Sequence, residues 1–298
     1  MSDLLLIATL SGLAGMLGWG LADFFAKKTI DVVGDMITLA WAHVFGLAIL
    51  ALLIVVRAVG GEAQYELPSS LREIGILAFF GVLQACVYFF AYRAFGKGKL
   101  SLLNPVFSSY SGIVVLLSVF VFGEIIGGWQ LACLAAVFAG IITISLDPEA
   151  LSLKKLRIAK LDGMKEIVTA TLLAALWTVL WGHFVSGKDW LAYAAVMYFF
   201  MSAAIIAYIF LSRTSLRIKN RSLWKFFFFI GLAEVIAYVG VSIGYSQTSH
   251  TSVVAVLSAA FSLPTLVLAY FFLKERITKL QLAGVGLVIA GVVLVATV

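Results

Sequence analysis

Charge is the scarcest property of this 298-residue chain, since only 12% of its residues are Asp, Glu, Lys or Arg. With 63% hydrophobic residues and a mean hydropathy of +1.09, it lies far from soluble globular chains, which run roughly 45 to 50% apolar. No stretch is polar enough for a soluble domain, and the solvent of most of the chain is lipid. The two cysteines, Cys86 and Cys133, sit in apolar runs without neighbours spaced for a metal. A disulfide framework and a zinc site are thereby excluded, and both read as small buried hydrophobes. His43 and His183 have no second ligand at i+3 or i+4 and read as packing residues. No G-x-x-x-x-G-K-[ST] motif occurs, and Gly96-Lys97-Gly98-Lys99 lacks its spacing, which removes a nucleotide-driven pump. No Lys or Arg precedes the first apolar run, where Asp3 is the only charge, so a signal peptide is not expected and the first run is read as a retained helix.

What is present is a series of apolar runs, each long enough to cross a hydrocarbon core of roughly 30 Å. They predict ten membrane helices, at 4–25, 36–56, 72–93, 101–122, 129–146, 166–186, 190–212, 223–245, 252–273 and 279–297. Strands are not expected, because the runs are apolar on every face rather than alternating. Residues 124–140 return 151 positions later as 275–291, with eight of the 17 aligned positions identical. Phe79, Gly81, Gln84 and Tyr88 of segment 3 align with Phe229, Gly231, Glu234 and Tyr238 of segment 8 at a spacing of 150. Trp19-Gly20 and Trp181-Gly182 match segment 1 to segment 6, whereas segments 2 and 7 do not align. The chain thus divides into a first five-helix repeat (1–146), a connecting loop (147–165) carrying Pro148 and a basic run, and a second five-helix repeat (166–298). An odd number of helices per repeat makes the second copy enter from the opposite side, around an axis in the membrane plane. The fold class expected is an all-α membrane protein with ten transmembrane helices arranged as two inverted five-helix repeats.

The net charge of +6 does not point to nucleic acid, because the basic residues sit in short connections where lipid headgroups account for them. Of the 21 Lys and Arg, 18 fall in odd-numbered connections, leaving Arg57, Arg72 and Lys188 on the other side. The positive-inside rule then puts odd-numbered connections in the cytoplasm and both termini outside.

Glu124 and Glu275 fall at turns, where a carboxylate can accept bonds from the open amides of the helix that follows. Gly140, Gly284, Gly286 and Gly291 suit close helix packing in lipid. Asp23 and Lys27, four apart, read as an ion pair. Glu234 lies about 16 Å into segment 8, near the bilayer midplane, where an acidic residue needs a partner, a watery cavity or a bound proton. Tyr238, one turn on, could donate a hydrogen bond to it, and Gln84 with Tyr88 is the equivalent pair of the first repeat. Trp19 and Trp181, like Tyr88 and Tyr238, are placed equivalently in both repeats and suit either cavity walls or packing. The candidate substrate-binding residues are therefore Trp19, Gln84, Tyr88, Trp181, Glu234 and Tyr238, with Glu234 also the candidate coupling residue. No catalytic residue, metal site or cofactor is indicated.

Several features together carry a family resemblance: Leu17-Gly18-Trp19-Gly20 with Lys27 after it, Asn104-Pro105 at the start of segment 4, and the Gly123-Glu124 and Lys274-Glu275-Arg276 turns, each followed by a Gln-Leu-Ala helix ending in Ala-Gly. The chain resembles the EamA-type drug/metabolite transporters. The resemblance implies ten helices in two inverted repeats and export or exchange of small metabolites, amino acids or drugs, with termini usually in the cytoplasm, against the charge count. The function expected is a secondary transporter in the cell (inner) membrane, working by alternating access. Its partners would be a small-molecule solute and the lipid bilayer, with any coupling to protons or a counter-substrate; the oligomeric state is open. A polytopic membrane enzyme would need clustered His, Asp or Glu facing a cavity, and a channel a polar ring or carbonyl-lined filter. The intramembrane inventory is too sparse for the enzyme's site, and a single chain with a twofold inverted repeat does not suggest a channel.

Overall fold

Inside hydrocarbon a backbone amide has no water to bond, so each apolar run closes its own hydrogen bonds as a helix. The computed structural model describes residues 3–60, 67–98, 100–145, 163–273 and 278–296. Among these, the helices are α1 (Asp3–Val33), α2 (Asp35–Val59), α3 (Leu71–Lys97), α4 (Leu100–Ser108), α5 (Tyr110–Phe120), α6 (Gly128–Ser145), α7 (Met164–Val185), α8 (Trp190–Leu211), α9 (Trp224–Gln247), α10 (Thr251–Ala259), α11 (Ser262–Leu273) and α12 (Lys279–Ala296). Seven stretches are long and apolar enough to cross a membrane, and Val106–Phe120, Gly128–Ile144 and Lys279–Val295 are shorter apolar helices. The chain is an all-helical membrane protein. Most of the 147–165 loop and the turn at Glu275 lie outside the described residues.

Two of the expected helices are broken. The run at 101–122 splits between α4 and α5 around Ser109, and the run at 252–273 splits between α10 and α11 at Ala260 and Phe261. At both breaks the backbone tightens to i→i−3 bonds, with Ser109 N on Val106 O (3.3 Å) and Leu263 N on Ala260 O (2.9 Å). The reasons are local. Pro264 has no N–H to offer Ala260 O. Ser109 Oγ donates to Val106 O (2.6 Å) and Ser111 Oγ to Ser108 O (3.1 Å), so hydroxyls compete for helical carbonyls. Irregular backbone is tolerated at this depth only when protein covers it, and Ser108, Tyr110, Ala259, Ala260 and Phe261 are all buried.

Packing interleaves the two repeats. α1 makes its most extensive contact with α9, α6 with α12, and α3 lies against both α7 and α8. The α1–α9 seam is built on missing side chains: a Cβ on Gly18 would come within 2.5 Å of Ala233 O, and one on Gly240 within 2.5 Å of the Ala14 side chain. In the α6–α12 pair, Gly140, Gly284 and Gly291 meet the partner backbone in the same way, as expected of them. Gly286 does not, since a Cβ there would meet nothing within 4 Å.

Helix ends mark two faces of the bundle. One carries the Lys97–Glu166 ion pair and Lys27, whose Nζ reaches Asp31 (2.8 Å) and Phe95 O (3.0 Å). Gly163, in the left-handed region at φ 86°, backs onto Ala94 there, so a side chain at 163 would be both strained and blocked. At the other face Arg57 pairs with Asp189 (2.9 Å) and Glu73 accepts from Lys188 (3.2 Å) and Tyr193 (2.8 Å). Ser70 and Asp189 cap α3 and α8 on that face by accepting from the first backbone amides.

Candidate functional site

The site grows from helical ladders. Gln84, Tyr88 and Tyr92 descend one face of α3 at four-residue steps, as do Trp19 and Asp23 on α1, Trp177 and Trp181 on α7, and Glu234 and Tyr238 on α9. These faces converge beside the two helix breaks, where Phe107, Tyr110 and Phe261 complete the walls. They bound a cavity of about 40 Å³, room for a few waters and too little for a solute. Asp23, Gln84 and Thr178 are its polar lining outside the aromatic rings.

Behind that lining lies a buried carboxyl. Glu234 has no exposed surface; Tyr92 donates to its Oε1 (3.0 Å) and Tyr198 to its Oε2 (3.1 Å). His43 Nε2 stands 3.8 Å from Oε2. The other ring nitrogen, Nδ1, lies 2.9 Å from Leu39 O, and a carbonyl only accepts, so Nδ1 carries a hydrogen. In the neutral ring the basic nitrogen therefore faces Glu234. Tyr198 stacks on the His43 ring at 5.4 Å, and Tyr88 meets that ring edge-on at 5.0 Å.

The six residues singled out from sequence come together, but in two layers. Trp19, Gln84 and Tyr88 line the cavity, whereas Trp181, Glu234 and Tyr238 stand behind it. Tyr238 joins the layers. It accepts from Gln84 Nε2 (2.7 Å), donates to Met201 Sδ (3.8 Å) and meets Trp19 and Trp177 edge-on at 5.9 and 6.0 Å. The expected bond from Tyr238 to Glu234 is not made, because side chains four apart on one helix run parallel and each reaches across to a facing helix. Trp181 is fully buried in a stack with Trp177 (5.5 Å) and against Phe80 (5.4 Å).

Other expectations change as well. Asp23 does not pair with Lys27, which turns to Asp31 instead; Asp23 is buried and points one oxygen, Oδ2, at no partner. Cys133 is buried as expected, but Cys86 is exposed on the outside of the bundle. Glu124 caps a helix, though not the one that follows it. It accepts from Ser252 N with both oxygens (3.0 and 3.1 Å) and from Ser252 Oγ (2.7 Å), at the start of α10 in the other repeat. Burial pushes its carboxyl above the usual range, and the Ser252 bonds oppose that shift. Glu124, His183 and His250 line a second, more open cavity of about 390 Å³ on the face that carries Asp189. Sequence reasoning passed over Tyr92 and Trp177 and took Asp23 as an ion-pair partner alone, although the four-residue spacing of each from a chosen residue was an available signal. It also passed over Tyr198 and took His43 as packing alone, both in the segments that do not align.

A family model described as the EamA-like transporter family matches the chain twice, over residues 6–146 and 163–297. Among curated proteins no relative matches. A solved structure described only as "Crystal structure of protein" superposes with a TM-score of 0.75 at 18% identity, covering 98% of each chain. At that identity the likeness shows the fold alone.

Proposed function

Because the chain belongs to the EamA-like transporter family, we propose that it is a secondary transporter that moves a small metabolite, amino acid or drug-like solute, as an exporter or exchanger, by alternating access. In this reading ten segments cross the cell membrane as two inverted repeats, residues 1–146 and 166–298, joined by the 147–165 loop. The observation that carries it is the aromatic cavity wedged between two broken helices, one in each family match, with helices of both repeats around it. Paired discontinuous helices at a midplane cavity are the arrangement in which rocking one bundle against the other opens a site alternately to either side. The cavity's small volume supports a contracted state, so admission of a solute requires the walls to part.

Glu234 is the coupling residue in this reading, since two tyrosine donors suit its ionised form and the facing basic nitrogen of His43 suits its proton. Tyr92 connects that carboxyl to the cavity, Trp19, Gln84, Tyr88 and Tyr238 form the substrate-binding group beside it, and Trp181 buttresses them. Flux in proteoliposomes loaded with a metabolite panel tests the proposal. Saturable uptake accelerated by solute on the opposite side is expected. Non-saturating flux would assign the chain to channels, and chemical conversion of a panel member to enzymes.

A further inference from the structure

Three of the residues lining the small cavity each carry a buried polar atom without a partner: Asp23 Oδ2, Gln84 Oε1 and Trp177 Nε1. Two accept and one donates. Buried polar groups are almost always paired, so unpaired ones carried by the walls of a common space outline what that space receives. Asp23 is 8% exposed, and its own helix offers it nothing, because Lys27 is engaged by Asp31 and the Phe95 carbonyl. No Lys, Arg or His lies among the residues lining the cavity. A carboxylate in such a place is costly until a cation meets it.

We propose that the cavity, once its walls part, binds protonated organic amines with a compact apolar body, and that Asp23 is the residue that anchors the ammonium group. The assignment rests on the transporter reading above and narrows its solute. An ammonium has N–H donors and no acceptor, which matches Asp23 Oδ2 and Gln84 Oε1 as a pair. The rings of Trp19, Trp177, Tyr88 and Tyr110 present faces or edges to the same space, and aromatic walls attract organic cations. An anionic solute fits poorly. It would meet the Asp23 carboxylate and the Gln84 carbonyl oxygen, which repel it. A zwitterionic amino acid is served at its ammonium end and repelled at its carboxylate. Glu234 takes no direct part, since both its oxygens are held by tyrosines behind the lining.

The test uses the full chain in nanodiscs at one neutral pH, titrated calorimetrically against empty nanodiscs. The probes are phenethylamine, 2-phenylethanol and 3-phenylpropionate, of similar size and different charge. Phenethylamine is expected to bind saturably and about tenfold or more tighter than either of the others. Asp23→Asn is expected to lose about tenfold for the amine while leaving the alcohol unchanged, and Asp23→Glu to recover most of the loss. Equal binding of the three probes, absence of saturable heat with phenethylamine, or an Asp23→Asn variant that binds it like wild type overturns the proposal. Should Asp23→Asn misfold by circular dichroism, the amine-to-alcohol ratio of the wild type decides alone. Amine binding without flux in proteoliposomes would strike the transport reading and leave this assignment standing.

Discussion

Glu234 is held by groups from three other helices: Tyr92 on α3, Tyr198 on α8 and His43 on α2. Replacing it with Gln keeps its volume but turns one accepting oxygen into an NH2 group, so one tyrosine hydroxyl must find another acceptor. The stability cost is expected at about 1–2 kcal/mol, that of an unmet buried hydrogen bond. Transport is expected to fall about tenfold or more and to lose its dependence on pH, because the titrating group is gone. Uptake at wild-type rate, with an unchanged pH profile in a folded E234Q protein, refutes the coupling role. Tyr92→Phe separates this from packing alone: it removes one donor from the carboxyl without changing shape and should shift the pH profile rather than abolish transport.

At the scale of helices, the close seams carry a sharper expectation than any single bond. Gly18→Ala drives a methyl toward the Ala233 carbonyl in the α1–α9 crossing, whereas Gly286→Ala enters open space. The first should lower stability by about 1–3 kcal/mol, the cost of overpacking. The second should be neutral or raise it by up to about 1 kcal/mol through helix propensity. Thermal unfolding of the two variants in the same detergent compares them directly, and equal midpoints would refute the close-packing account. The contrast also shows what the sequence could and could not reveal. Hydropathy alone places the apolar runs, because lipid demands it, and the twofold similarity ties α6 to α12 and α3 to α9. Neither signal distinguishes Gly18 from Gly286, since the difference lies in the neighbour each helix acquires. The breaks at Ser109 and Ala260 were hidden for a similar reason: serine and proline inside an apolar run are compatible with a continuous span until burial fixes where their carbonyls turn. His43 and Tyr198 escaped because their segments share only hydrophobicity, and their role arises from facing a residue on α9.

Across the whole molecule, charge asymmetry and geometry combine. The α2–α3 and α7–α8 connections meet on one face through Arg57–Asp189 and Lys188–Glu73, while Lys97–Glu166 closes the opposite, more basic face. Exposed Ser69 on the first and exposed Lys219 on the second are suitable sites for single cysteines in a background lacking Cys86 and Cys133. By the positive-inside rule, an impermeant thiol reagent applied to intact cells should label Ser69→Cys and spare Lys219→Cys. The reverse pattern would put the termini inside.

The α1–α9 seam also bears on how the protein is born. The glycine-lined face of α1 leaves the ribosome some 200 residues before the surface of α9 that covers it, so α1 must wait in the membrane for α9. Until then the first repeat is an unfinished set of helices rather than a folded half. A chain ending at 146 should therefore be short-lived when expressed alone and rescued when residues 163–298 are supplied as a second polypeptide, which makes assembly in the bilayer, rather than insertion, the step on which the abundance of this protein depends.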